Sequence, residues 1–154
     1  AQSAAAELPK VTNANTQTQS NVSMTEGVAN TDVHNSDVVA DKNAATANGT
    51  QASNLISQAQ AASEAASKYA SQAASATVLY DQSAAKGFVD QAAAQNKLAL
   101  GYTSQANSLA SATTSAYANV KSVVTSDSTA ASQAAQSVIN TQLYTSGALK
   151  TISD

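Results

Sequence analysis

From residue 51 onward, small apolar side chains recur at helical spacing. Leu55, Ala59, Ala62, Ala66, Tyr69, Ala73, Ala76 and Tyr80 follow one another at intervals of 4-3-4-3-4-3-4. That is an unbroken heptad stripe of the kind that packs one helix against another. Ser and Gln fill the positions between. Glu64 precedes Lys68 by four positions, the favourable order for an ion pair along a helix. A second stripe, Tyr102, Ala106, Leu109, Thr113, Ala116, Val120 and Val123, repeats 4-3-4-3-4-3 and predicts a helix over residues 103–125. Between the two stripes, Ala84, Ala85, Phe88, Val89, Ala92 and Ala93 form a wider apolar face. Asp81 either caps the helix carrying that face or lies inside a longer one, and Gly101 predicts its end. The run SDST at 126–129 offers caps for a last helix, with Ala131, Ala134, Ala135, Val138, Ile139 and Leu143 on its face. Gly147 is expected to end it, leaving a short extended tail.

The first fifty residues have a different pattern. AQSAAAEL could form one helical turn that stops before Pro9, the only proline. From 16 to 24 the chain alternates: Thr16, Thr18, Ser20, Val22 and Met24 fall on one face, with Gln and Asn among the residues between them. Period two with Thr and Val predicts a strand. Gly27 could turn it, and residues 28–33 could return as a second strand. Residues 43–50 (NAATANGT) have the composition of a hinge, with Asn48-Gly49 as a turn dipeptide and Thr50 as a helix cap.

The expected fold is mainly α: an antiparallel three- or four-helix Ala-rich bundle over residues ~51–146, preceded by an extended or β-hairpin-like arm. The expected domain division is a polar arm at 1–50 and a helical region at 51–154.

Composition explains why such a bundle would seek a neighbour. Ala, Ser, Thr, Asn and Gln supply 100 of the 154 residues, and there is one Phe and no Trp. An Ala seam lets helix backbones approach closely. Each buried methyl, however, contributes only about 0.8 kcal/mol, against ~1.5–3 for a Leu or Phe. The core is therefore thin. The large side chains Tyr69, Tyr80, Phe88, Tyr102, Tyr117 and Tyr144 cannot all fill it, and some are expected to face other subunits. Val22, Met24 and Val28 on the arm are expected to dock on a neighbouring copy by strand addition.

Charge excludes other partners. Seven Lys, no Arg and a net charge of −3 give no basic patch for nucleic acid. No run is apolar enough to span a membrane. The one cluster of ligand-type residues is Asp32, His34, Asp37 and Asp41. Its spacing fits no coordination loop, so a solvated polar loop is expected, with no metal or other cofactor. No nucleophile motif, phosphate loop or dinucleotide fingerprint is present, so no enzyme activity is expected. Asn21-Val-Ser23 and Asn48-Gly-Thr50 match the N-glycosylation pattern, which arises easily in a chain of this composition.

A small-residue start without Met, together with abundant uncharged polar residues, suggests a secreted bacterial protein after signal-peptide removal. The functional expectation is a structural subunit whose partners are copies of itself rather than a small-molecule ligand. It would assemble into an extracellular filament or surface layer through helix packing and arm exchange. The Ala-rich helices with placed Thr are similar in composition to the helical antifreeze proteins of fish, a resemblance that implies ice binding. In that family Thr recurs at a fixed interval on a flat Ala face; Thr103, Thr113, Thr114, Thr125 and Thr129 do not hold one. Amphipathic Ala-rich helices also resemble those of phasins, and a virion component is a further alternative.

Overall fold

The computed structural model describes residues 3–154, which are helical apart from two turns and the extreme ends. Three helices follow in order: α1 (Ala4–Ala29), α2 (Ser36–Val78) and α3 (Gln82–Ser153). α1 and α3 run parallel, with α2 antiparallel between them. The contacts fix this: Ala4 meets Ala62 and Ala99, Val22 meets Ala45 and Ala116, and Ala29 meets Val38 and Val120.

The expected N-terminal arm is thus corrected. Residues 16–24 and 28–33 form no hairpin; the first lie inside α1, the second cover its last residues and the turn that follows, and no strand occurs among the described residues. A 3-4 spacing runs beneath the alternation. Ala4, Glu7, Val11, Ala14, Thr18, Asn21 and Thr25 are all buried along α1. Thr does not force a strand here because each Thr of the helix turns its hydroxyl onto its own backbone. Thr12, Thr16, Thr18 and Thr25 donate to the carbonyls four residues back, at 2.7–3.1 Å. Pro9 does not stop the helix either. It and Ala5, whose carbonyl loses its bond, are both exposed, so that carbonyl faces solvent. Ser3 caps the start by accepting from Ala6 N at 3.2 Å.

The expected hinge at 43–50 lies within α2, which runs unbroken across the division placed at residue 50. Gly49 serves close approach, not a turn. A Cβ there would lie 3.0 Å from Val22 Cγ2, and Gln19 Nε2 donates to the Gly49 carbonyl at 2.7 Å. The expected breaks at Gly101, at 126–129 and at Gly147 are also absent, and the tail is helical, because α3 continues through all of them. No described glycine has a positive φ, so none adopts the left-handed cap that would end a helix. The left-handed position is taken by Tyr80 instead (φ 57°). Asp81 N bonds Ala76 O at 2.9 Å and Tyr80 N bonds Thr77 O at 3.0 Å, closing α2 in a Schellman arrangement. Asp81 then caps α3, accepting from Ala84 N at 3.0 Å, as its sequence position suggests.

The core is made of small side chains. Of the eighteen buried hydrophobic residues among those described, thirteen are Ala. Leu55, Ala59, Ala62, Ala73 and Ala76 of the first predicted stripe are buried, and Ala66 and Tyr69 are half-buried. Tyr80 leaves the stripe entirely and is 93% exposed. On α3, Ala106, Thr113, Ala116 and Val120 are buried, whereas Tyr102, Leu109 and Val123 flank the contact. The buried line there runs through Ala99, Thr103, Ala106, Ala110 and Thr113, because this face meets two helices and is wider than a single seam.

Substituting Gly101, where a Cβ meets nothing within 4 Å, by Ala is expected to stabilise the fold by about 0.5–1 kcal/mol. Gly49→Ala should fall short of that gain because of Val22; equal gains in chemical denaturation would contradict the close approach. Tyr80→Gly should stabilise by about 1 kcal/mol by relieving the left-handed backbone, measured the same way.

Candidate functional site

Polar chemistry inside the bundle is directed at holding helices together. Glu7 is fully buried. Thr103 Oγ1 donates to its Oε2 at 2.7 Å, and Lys10 Nζ lies 2.9 Å from its Oε1. The Thr103 hydroxyl and the Lys10 ammonium hold the Glu7 carboxyl below the usual carboxylate range, against burial, which pushes it up. Further along, Asn21 Nδ2 donates to Thr114 Oγ1 at 2.9 Å and Thr113 Oγ1 at 3.2 Å, tying α1 to α3. Gln19 Nε2 ties α1 to α2 through Gly49 O and Ser53 Oγ. Apart from Thr113, which lies on the second stripe, sequence reasoning missed these contacts; the signal was polar side chains at 3-4 spacing among the Ala and Val of α1.

The four residues of the expected polar loop are not brought together as a ligand set. His34 is exposed in the α1–α2 turn, Asp37 is exposed in the first turn of α2, and Asp41 is half-buried one turn on. Among the described residues no group of three or more His, Cys, Asp or Glu is placed to hold a metal ion. Asp32 instead meets Asp127 of α3. Its partial burial and the neighbouring Asp127 carboxyl raise its pKa, with His34 opposing. Asn35 links the same corner: its Oδ1 caps α2 at Asp37 N and Val38 N, and its Nδ2 donates to Asp127 Oδ2 at 2.8 Å.

Two surfaces remain without partners, at opposite ends of the molecule. At one end α1 starts level with Ala62 and Ala99, where Asn96 Oδ1 accepts from Ala4 N at 2.8 Å. From there to the turn at Tyr80, α2 and α3 pair with no third helix for about 24 Å. The groove between them holds a cavity of about 590 Å³ lined by Gln72, Ala76, Leu79, Ala84 and Phe88, with Lys68 and Asp81 also on its walls. A separate cavity of about 190 Å³, on the other side of the α2–α3 contact, lies at the start of α1 and is lined by Ser3, Ala4, Ala66, Ala70, Ala92 and Asn96. Gln72 Oε1 is buried without a hydrogen-bond partner. Leu79 is 77% exposed.

At the other end α1 and α2 stop covering α3 near Val120, Val123 and Val124. Every residue from 125 to 154 is exposed. This overhang is about 43 Å of single helix. The buried 3-4 line of α3 nevertheless continues along it through Ala131, Ala134, Val138, Thr141, Thr145, Ala148 and Ile152. Val138 stands eighteen residues after Val120, five full turns of an α-helix, and so lies directly above it. Leu149 falls on the same face, whereas Ile139 and Leu143 lie about 100° and 140° round the helix from Val138. Thr141 and Thr145 donate to their own i−4 carbonyls at 2.9 Å, which leaves their methyl groups for contact. Of the other predicted contact residues, Val22 is buried and Val28 half-buried within the bundle, and Met24 is 40% exposed. The far overhang residues Leu149 and Ile152 lie beyond Gly147, where the helix was expected to end, and the groove follows from how little of the α2–α3 pair α1 covers.

The two carboxyls predict opposite pH effects. Glu7 favours its ionised form in the folded chain. Its contribution is present above the unfolded value of about 4.3 and is lost as pH falls through the lower folded value. Asp32 favours its protonated form. Its contribution is complete below about 3.9 and is lost as pH rises through the higher folded value. Glu7→Gln should therefore lower Tm at pH 7 and flatten the acid limb. Asp32→Asn should raise Tm at pH 7 and change it less as pH falls. Thermal melts from pH 3 to 8 check both.

No protein-family model, no curated protein and no solved structure matches this chain.

Proposed function

We propose that this protein is a structural subunit that assembles with copies of itself into an extracellular filament or surface layer. The observation that carries the reading is the overhang. About 43 Å of helix leaves the bundle with Val138, Leu143, Leu149 and Ile152 between 57% and 82% exposed. A lone helix of Ser- and Thr-rich composition has poor intrinsic stability, since these side chains are weaker helix formers than Ala. Packing against another chain would supply what its own sequence lacks.

The surrounding surface supports the same reading. Between Asp127 and Lys150 there is no charged residue, so like-charge repulsion between copies is small. Tyr80 and Tyr144, at 93% and 81% exposed, present aromatic area with a hydroxyl at each end of the molecule. No described helix is long and apolar enough to cross a membrane. Exchange of residues 1–50 drops out of the mechanism, because α1 is packed in its own bundle. The extracellular setting rests on the composition, rich in uncharged polar side chains.

Sedimentation velocity and negative-stain microscopy across a concentration series test this. Concentration-dependent growth into fibres or sheets is the expected outcome. A compact ~15 kDa monomer at the highest concentrations would overturn it.

A further inference from the structure

We propose that the overhang pairs with the overhang of a second copy, side by side and antiparallel, about a two-fold axis between Thr141 and Gln142. This rests on the assembly reading above and names the partner of one of its two bare surfaces.

Continuity with the bundle sets the face and the direction. The line through Ala131, Ala134, Val138, Thr145, Leu149 and Ile152 lies straight beyond Val120, which Ala29 and Val38 cover. A helix laid on that line is therefore end-on to the α1–α2 turn. A parallel overhang would have to run back into its own α3 through the space that α1 and α2 fill. An antiparallel one ends at the turn, and its own bundle lies away from the first. Antiparallel packing on this face of α3 is also what α2 does inside the bundle. The partner's overhang thus prolongs the line of α2.

Side-chain size sets the register. The small residues Ala131 and Ala134 come first along the line, and Leu149 and Ile152, 63% and 82% exposed, come last. Turned end for end, the partner's Ile152 comes level with Ala131, and the partner's Leu149 with Ala134. Val138 meets the partner's Thr145. Each of these layers sets a larger side chain against a smaller one, which lets the two helices close on each other without voids. There is room at the foot of the overhang, where a cavity of about 480 Å³ is lined by Thr31, Asp32, Val124, Asp127, Ser128 and Ala131. The partner's Ile152 enters it on the side of Val124 and Ala131. Charge does not oppose the pairing. Asp127 and Lys150 bound an uncharged stretch, and Lys150 lies about 120° round the helix from Val138, off the contact.

Such an isologous contact closes on itself in pairs. Growth beyond a pair then uses the opposite end of the molecule, where Leu79 and Tyr80 are 77% and 93% exposed. A filament built in this way alternates the direction of its subunits and has no overall polarity.

The chain has no cysteine, so single cysteines placed in the full chain report the pairing in a thiol–disulfide buffer. Thr141→Cys sits beside the two-fold axis and should form a disulfide-linked dimer of about twice the monomer mass. Ala131→Cys and Ile152→Cys, about 31 Å apart along the helix, should each stay unlinked alone and form the 1:1 linked dimer when mixed. Gln136→Cys, on the opposite face, gives the background. Circular dichroism verifies that all four remain helical. Self-linkage of both Ala131→Cys and Ile152→Cys would mean parallel pairing and overturn the proposal. So would linkage of Thr141→Cys no greater than that of Gln136→Cys; if the wild type still grows into fibres, the assembly reading survives that result. Linked pairs with the expected pattern and no growth beyond them at any concentration would instead uphold the overhang contact and overturn the filament or layer.

Discussion

The distance between helix axes is the constraint on which this structure depends. Ala at the contact positions draws α1, α2 and α3 together, and Gly49 shows how little room is left: Val22 occupies the space where a Cβ would stand. Close approach brings much backbone into dispersion contact but removes little apolar area per residue. The usual large hydrophobic side chains are therefore missing from the centre. Directed polar contacts take over part of their role. Glu7 with Thr103 and Asn21 with Thr113 and Thr114 are specific pairings that only one alignment of α1 on α3 satisfies.

Much of the architecture was legible from spacing alone. The stripe from Leu55 to Ala76 and the contacts at Ala106, Thr113, Ala116 and Val120 follow from the 3-4 repeat, and Asp81 caps a helix as its position suggests. The errors have one physical origin. Thr, Gly and Pro were weighed by intrinsic preference, whereas local context decides what each does. Thr18 bonds its own helix, Gly49 lets α1 approach, Gly101 sits on an open face, and Pro9 leaves its lost bond at the surface. Alternation in residues 16–24 and the 3-4 spacing of α1 coexist in one sequence; the buried set Val11, Ala14, Thr18, Asn21 and Thr25 shows which one packs.

The candidate surfaces were less legible because they are defined by what the other helices fail to cover. The Val138 face was visible as a helix face. That it projects beyond the bundle depends on where the α1–α2 turn falls relative to Val120, a three-dimensional fact. The uncovered stretch of the α2–α3 pair depends likewise on α1 starting level with Ala62 instead of reaching Tyr80. Asp127, in sequence only a residue within a capping run, gains its partners Asp32 and Asn35 because α3 does not break there.

The polar pairings along α1 also carry a mechanical consequence. Smooth Ala seams offer little resistance to one helix sliding lengthwise past another, since there are few large knobs to lift out of holes. If α3 is pulled along its axis, the load reaches α1 as shear. Glu7–Thr103 near one end of α1 and Asn21–Thr113/Thr114 toward the other then act as two separated pins. A slip would have to break both at once, so a thin core can still transmit tension along the rod.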